Sequence, residues 1–256
     1  MKRLPIVICL LTFLSLSLSA SLRADSVGLK FVGGQPFFTF PSGPVTGTAG
    51  APGLAQDNWN NLGSVGVPSG SATNLVDAAG VATGIGVTWT SVDAWQALTG
   101  SAATTQNQQL MNGYLDNTIQ VTLTGLTFES YAVVVYFNGD TPSDDRIYHY
   151  QIGSTSIFAQ DNAAFSGSFI QVPGSSNTDQ GTNTPAGNYT VFSNVSGASF
   201  TLDALPENPN DPAGRAVINA IQIVQTAEPQ SALLLLMGLA VLSAFGLLSQ
   251  SKRVTN

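Results

Sequence analysis

Thr118-Ile-Gln-Val-Thr-Leu-Thr-Gly-Leu-Thr-Phe-Glu-Ser-Tyr-Ala-Val-Val-Val-Tyr-Phe137 is the stretch that decides the fold. Over residues 118–124 Ile119, Val121 and Leu123 alternate with Thr118, Gln120, Thr122 and Thr124. That period of two puts one face on a core and the other in water, as in a half-buried strand. Residues 131–137 are apolar at every position and predict a central strand covered on both faces. The link between them, residues 125–130, suits either an antiparallel hairpin or a corner where the chain changes sheets.

Outward from this pair the same kind of run recurs. Strands are expected at residues 27–31, 85–90, 147–152, 155–159, 168–172, 189–193, 198–202 and 217–224, with a turn or two of helix only at 106–111. Short strands joined by Gly-, Asn- and Pro-rich connections describe an all-β, two-sheet antiparallel sandwich of jelly-roll type. Residues 25–226 hold all of these strands, an interval of about 200 residues that suits one domain.

The flanks read differently. Lys2-Arg3, an apolar run and Ala20-Ser-Leu-Arg-Ala24 have the form of a secretory signal peptide over residues 1–24, cleaved after Ala24 or, alternatively, Ala20. The single cysteine, Cys9, falls inside it, so the exported domain has no disulfide. At the other end residues 231–248 form an uncharged apolar run, about 18 residues at 1.5 Å each, just enough to cross a hydrocarbon core of about 30 Å. Lys252 and Arg253 follow and place the C-terminus in the cytoplasm. Residues 25–226 carry only Lys30, Arg146 and Arg215 as cations, so they are more acidic than the whole-chain net charge of −7. Nucleic acid is excluded as a partner on that ground.

The tail over residues 227–256, Ala227-Glu-Pro229 followed by one transmembrane helix and a short basic cluster, resembles the PEP-CTERM sorting signal of exopolysaccharide-producing Gram-negative bacteria. Glu228 and Pro229 match the family motif; Ala227 replaces its first proline. The resemblance implies an exosortase-type sorting protease as partner, transient insertion in the inner membrane, and delivery to the cell surface or extracellular matrix. The alternative is a permanent single-span anchor. Gly214-Arg-Ala-Val-Ile-Asn-Ala-Ile-Gln-Ile-Val224 and the 118–137 pair resemble the closing and central strands of jelly-roll carbohydrate-binding modules of the galactose-binding-like type.

Side-chain chemistry offers few candidates. His149 is the only imidazole, no thiol accompanies it, and no nucleophile motif of the Gly-x-Ser-x-Gly kind appears, so no catalytic residue is assigned and the chain is read as a non-enzyme. Asn138, Asp140, Asp144 and Asp145, in the loop after the central strand, supply the oxygen ligands a structural calcium ion prefers. A solvated β-turn explains the same residues; no other cofactor is expected. Trp89 continues the period of Ile85 and Val87 and belongs to the core, whereas Trp59, Trp95 and Tyr114 stand among Asn and Asp outside any alternating run. Those three rings could stack on sugars or pin loops to the sandwich.

The function expected from these features is an exported protein that binds or organises surface polysaccharide. A purely structural envelope or matrix component is the alternative, and a glycan-active hydrolase the third reading.

Overall fold

The computed structural model describes residues 25–140, 146–162, 165–174, 184–207 and 214–226. The signal peptide, the sorting tail with Glu228 and Pro229, and Asp144 and Asp145 lie outside the described residues. Among those described, no helix is long and apolar enough to cross a membrane.

Two sheets form. The first runs β2 (Asn60–Leu62), β1 (Ser26–Phe31), β14 (Ala220–Gln225), β6 (Tyr131–Tyr136), β11 (Tyr189–Val195), β9 (Gln171–Val172). The second runs β10 (Ala186–Gly187), β8 (Thr155–Asp161), β7 (Ile147–Ile152), β12 (Ser199–Pro206), β5 (Gly113–Thr124), β4 (Gly86–Gln96), β3 (Gly70–Ala72), with β13 (Val217–Ile218) pairing on β5. The central pairings are antiparallel, but β2 on β1, β9 on β11 and β10 on β8 are parallel, so both sheets are mixed rather than antiparallel throughout. Each parallel partner is two or three residues long and arrives at the sheet margin by a long loop instead of a hairpin.

Alternation predicts the core correctly. Ile119, Val121 and Leu123 of β5 are wholly buried and meet Val133 and Val135 of β6, Leu29 of β1 and Ile221 and Ile223 of β14 in one cluster between the sheets. Burying each such side chain stabilises the fold by about 1.5–3 kcal/mol. The 125–130 link is a sheet-changing corner, because β5 belongs to the second sheet and β6 to the first. The second face of β6 is also apolar because a further layer covers it. Val134 and Tyr136 pack under Val45, Ala49, Ala51, Trp59, Leu110, Met111 and Phe165, from loops and the short helix α1 (Gln106–Leu110). Thr105 caps that helix through a capping box with Gln108.

Two irregularities position the functional end. Between the pairs Ser91↔Ile119 and Asp93↔Asp116 strand β5 carries one residue more than β4, and Asn117 there has φ 75°. This bulge re-phases both strands and carries them on to Gln96 and Gly113. Further along, the expected strand 217–224 breaks at Asn219: β13 stays with β5 while β14 crosses to the first sheet. The Asn219 side chain replaces the ladder lost at the crossing. Its Oδ1 accepts from Asn138 N at 2.6 Å and its Nδ2 donates to Met111 O at 3.0 Å and Gly113 O at 3.2 Å. Lys30, fully buried beside this corner, donates from Nζ to Phe31 O and Gly113 O, both at 2.6 Å. Burial lowers its pKa well below the ordinary lysine value.

Candidate functional site

Trp95 and Tyr114, expected in loops, stand opposite each other on the extensions of β4 and β5 that the bulge creates. Tyr114 faces inward and is wholly buried, so its ring offers no face to a ligand. Trp95 is half-buried at the end of the sandwich, and its indole Nε1 donates to Asp140 Oδ2 at 3.1 Å.

Asp140 is the hub of this end. Its Oδ1 accepts from Arg146 Nη1 and from Arg215 Nη1, each at 2.9 Å, while Arg215 Nε lies 3.6 Å from Asp116 Oδ2. Burial raises the Asp140 pKa, but the Arg146 hydrogen bond and the Arg215 charge outweigh it and hold the carboxyl below its ordinary range. At Asp116 burial is stronger and outweighs the more distant Arg215 guanidinium, one Asn117 N–H and the Arg146 charge, and its pKa rises to about 6. Asp161, behind it, accepts from Gly139 N at 2.8 Å and Tyr148 Oη at 2.9 Å. Burial still dominates and lifts Asp161 to about 6 as well. Among the described residues, buried Tyr114 Oη, near Asp140 and Asp116, and Asp161 Oδ1 have no hydrogen-bond partner of normal geometry.

The aromatic part of the site comes from residues 33–41. Gly33 and Gly34 have φ of 59° and 76°, and a Cβ on Gly33 would stand 2.3 Å from Tyr114 N, so only glycine lets the chain fold back this closely. Gln35 Nε2 fastens the loop to Asp93 Oδ1 and Ala94 O. Phe38 then meets the Trp95 ring edge-on at 5.1 Å and Phe37 meets it at 5.8 Å. Phe37 remains 69% exposed and Phe40 43%. The sequence signal for this patch, three phenylalanines between Pro36 and Pro41, is local and legible, whereas Arg215, Asp116 and Asp140 come together only through the fold.

Trp59 corrects the expected sugar-binding trio. It is 5% exposed, packs edge-on to Tyr136 at 6.0 Å, and donates from Nε1 to Ala49 O at 3.2 Å and Gln56 O at 3.1 Å. Gly28 of β1 lies so close beneath it that a Cβ there would be 2.6 Å from the indole. Trp59 therefore pins the covering layer to the first sheet, remote in role from Trp95.

The calcium quartet is not assembled by its described members either. Asn138 is buried, its Oδ1 accepting from Phe165 N and its Nδ2 donating to Met111 O, both at 3.0 Å. Asp140 is committed to two guanidinium groups and an indole. Among the described residues no cluster of three or more His, Cys, Asp or Glu is placed to hold a metal ion.

No family model matches the chain, and no curated protein matches it. Among solved structures it is similar to the plant receptor-like kinase ANX1, with 13% identity and a TM-score of 0.41 over 80% of this chain and 49% of that one. A chain of the complex of plant peptide RALF23 with FER and LLG2 is 13% identical, with a TM-score of 0.39 over 79% of this chain and 40% of that one. A calcium-binding mutant of Bacteroides uniformis β-glucuronidase 2 is 11% identical, with a TM-score of 0.34 over 79% of this chain and 18% of that one. The chain thus spans less than half the length of each of these proteins, and likeness at this level transfers no activity to it.

Proposed function

We propose that this chain is an exported surface or matrix protein, a sandwich of jelly-roll type that binds or organises neutral polysaccharide through the face made by Trp95, Phe37 and Phe38. The observation that carries this reading is the ring cluster itself: Phe37 is 69% exposed yet held against Trp95. A fixed aromatic surface beside charged and amide groups suits the C–H faces and hydroxyls of a sugar. The jelly-roll reading is supported by the strand orders β1-β14-β6-β11 and β5-β12-β7-β8, in which the chain changes sheets between β5 and β6, β6 and β7, β8 and β11, and β11 and β12. Export rests on the signal-peptide and PEP-CTERM-like termini. A glycan array probed with the domain should show binding in the micromolar to millimolar range, about −4 to −8 kcal/mol. Phe37→Ala should remove that binding and leave the melting temperature unchanged. An array without signal would leave the structural-component reading in its place.

A further inference from the structure

On the outer face of the second sheet three side chains form a relay. Ser156 Oγ lies 2.9 Å from His149 Nε2, and His149 Nδ1 lies 2.9 Å from Glu207 Oε1. Three strands build it: His149 on β7, Ser156 on β8 and Glu207 just past β12, where its N–H bonds Ile147 O at 3.0 Å. The imidazole is further fixed by stacking on Phe158, with centroids 4.4 Å apart and planes 19° apart. All three residues keep partial access to solvent, His149 at 14% and Glu207 at 25% of the side chain.

Proton positions follow from the donors available. A carboxylate only accepts, so the neutral imidazole must carry its proton on Nδ1 and present a lone pair at Nε2. The Ser156 hydroxyl then donates to that nitrogen, which is the arrangement of nucleophile, base and orienting acid that activates serine.

We infer that Ser156 is a nucleophile, activated by His149 and oriented by Glu207, that takes the acyl group of small, accessible esters at an open site on the sheet face. Ser156 Oγ attacks the ester carbonyl carbon and its proton passes to His149 Nε2. The bond to the alcohol oxygen breaks and the alcohol leaves with that proton; water, deprotonated at the same nitrogen, then attacks the seryl ester, and the free acid departs as His149 returns the proton to Ser156 Oγ. The sequence lacks a nucleophile motif because the serine sits in a hairpin strand rather than at a strand-to-helix elbow.

The full chain incubated with p-nitrophenyl acetate should release nitrophenolate and carry acetyl on Ser156, located by peptide mass spectrometry; a fluorophosphonate should label the same residue. Ser156→Ala should abolish both. His149→Gln and Glu207→Gln, which keep polar contacts on the surface, should each slow acylation at least about tenfold, and His149→Gln should also remove the dependence of the rate on a single deprotonation. Absence of an adduct on Ser156, or an adduct that forms as fast and with the same pH profile in His149→Gln, would overturn the proposal and leave a hydrogen-bonded cross-strand trio.

Discussion

Trp59 and Trp95 look alike in sequence, each an indole among Asp, Asn and Gln, yet one is a packing residue and the other half-exposed at the rim. The difference lies beneath them. Trp59 descends on the outer face of β6, where Val134 and Tyr136 would otherwise present bare apolar surface to water. Trp95 stands where β4 runs off the end of the sandwich, against Phe37 and Phe38 on one side and the Asp140 carboxylate on the other. Polarity of the flanking sequence says little about burial; an uncovered apolar strand face says a great deal.

Unfolding measurements should separate the two tryptophans. Trp59→Ala removes a buried ring together with the link that ties residues 49 and 56 to β1 and β6, and should destabilise the domain by about 3–5 kcal/mol in urea or thermal denaturation. A loss below about 1 kcal/mol would mean that the covering layer is not needed to hold the first sheet.

The second contrast is electrostatic, because ion pairs buttress the Trp95 end. Asp116 and Asp161 titrate near 6 in the folded protein, against about 3.9 in an unfolded chain. For an acid whose folded pKa is raised, the contribution to stability is fully present below the unfolded value and lost as pH rises through the folded one. Each group should therefore cost about 2–3 kcal/mol between pH about 4 and pH about 7. Asp140, held low by its guanidinium partners, acts in the opposite direction and loses its contribution only in more acid solution. Asp161→Asn keeps an acceptor for Gly139 N and Tyr148 Oη and puts an amide where Oδ1 has no partner. The difference in stability between wild type and this variant should grow in favour of the variant as pH rises from about 4 to 7. Taking the difference removes the titration of Lys30, which both proteins share. A difference independent of pH would show that Asp161 is ionised throughout.

The same two regions show how far a sequence can be read. Strand β6 and the alternating half of β5 were legible because a continuous face gives a continuous pattern. The β4–β5 extension was not, since the extra residue at Asn117 shifts the phase and makes Trp95 and Tyr114 look like loop residues. Asn219 hides in the same way inside an apolar run that reads as one strand, although its buried amide marks the point where the chain changes sheets. The Asp140 cluster is half legible: its carboxylate reads as a calcium ligand, but the guanidinium that holds it from residue 215 is a property of the closed sandwich alone. Edge strands of two or three residues have no period to read.

The smallest effects should come from the rim itself. Trp95→Phe keeps the ring contacts with Phe37 and Phe38 but deletes the donor to Asp140 Oδ2. Asp140 retains both guanidinium partners and is partly accessible to water, so the loss should be about 1 kcal/mol. Phe37→Ala, at a ring 69% exposed, should lie within about 0.5 kcal/mol of wild type. If Phe37→Ala instead cost as much as Trp59→Ala, the 33–41 loop would be a second covering layer, its rings would be needed for folding, and the distinction between a pinned indole and a presented one would collapse.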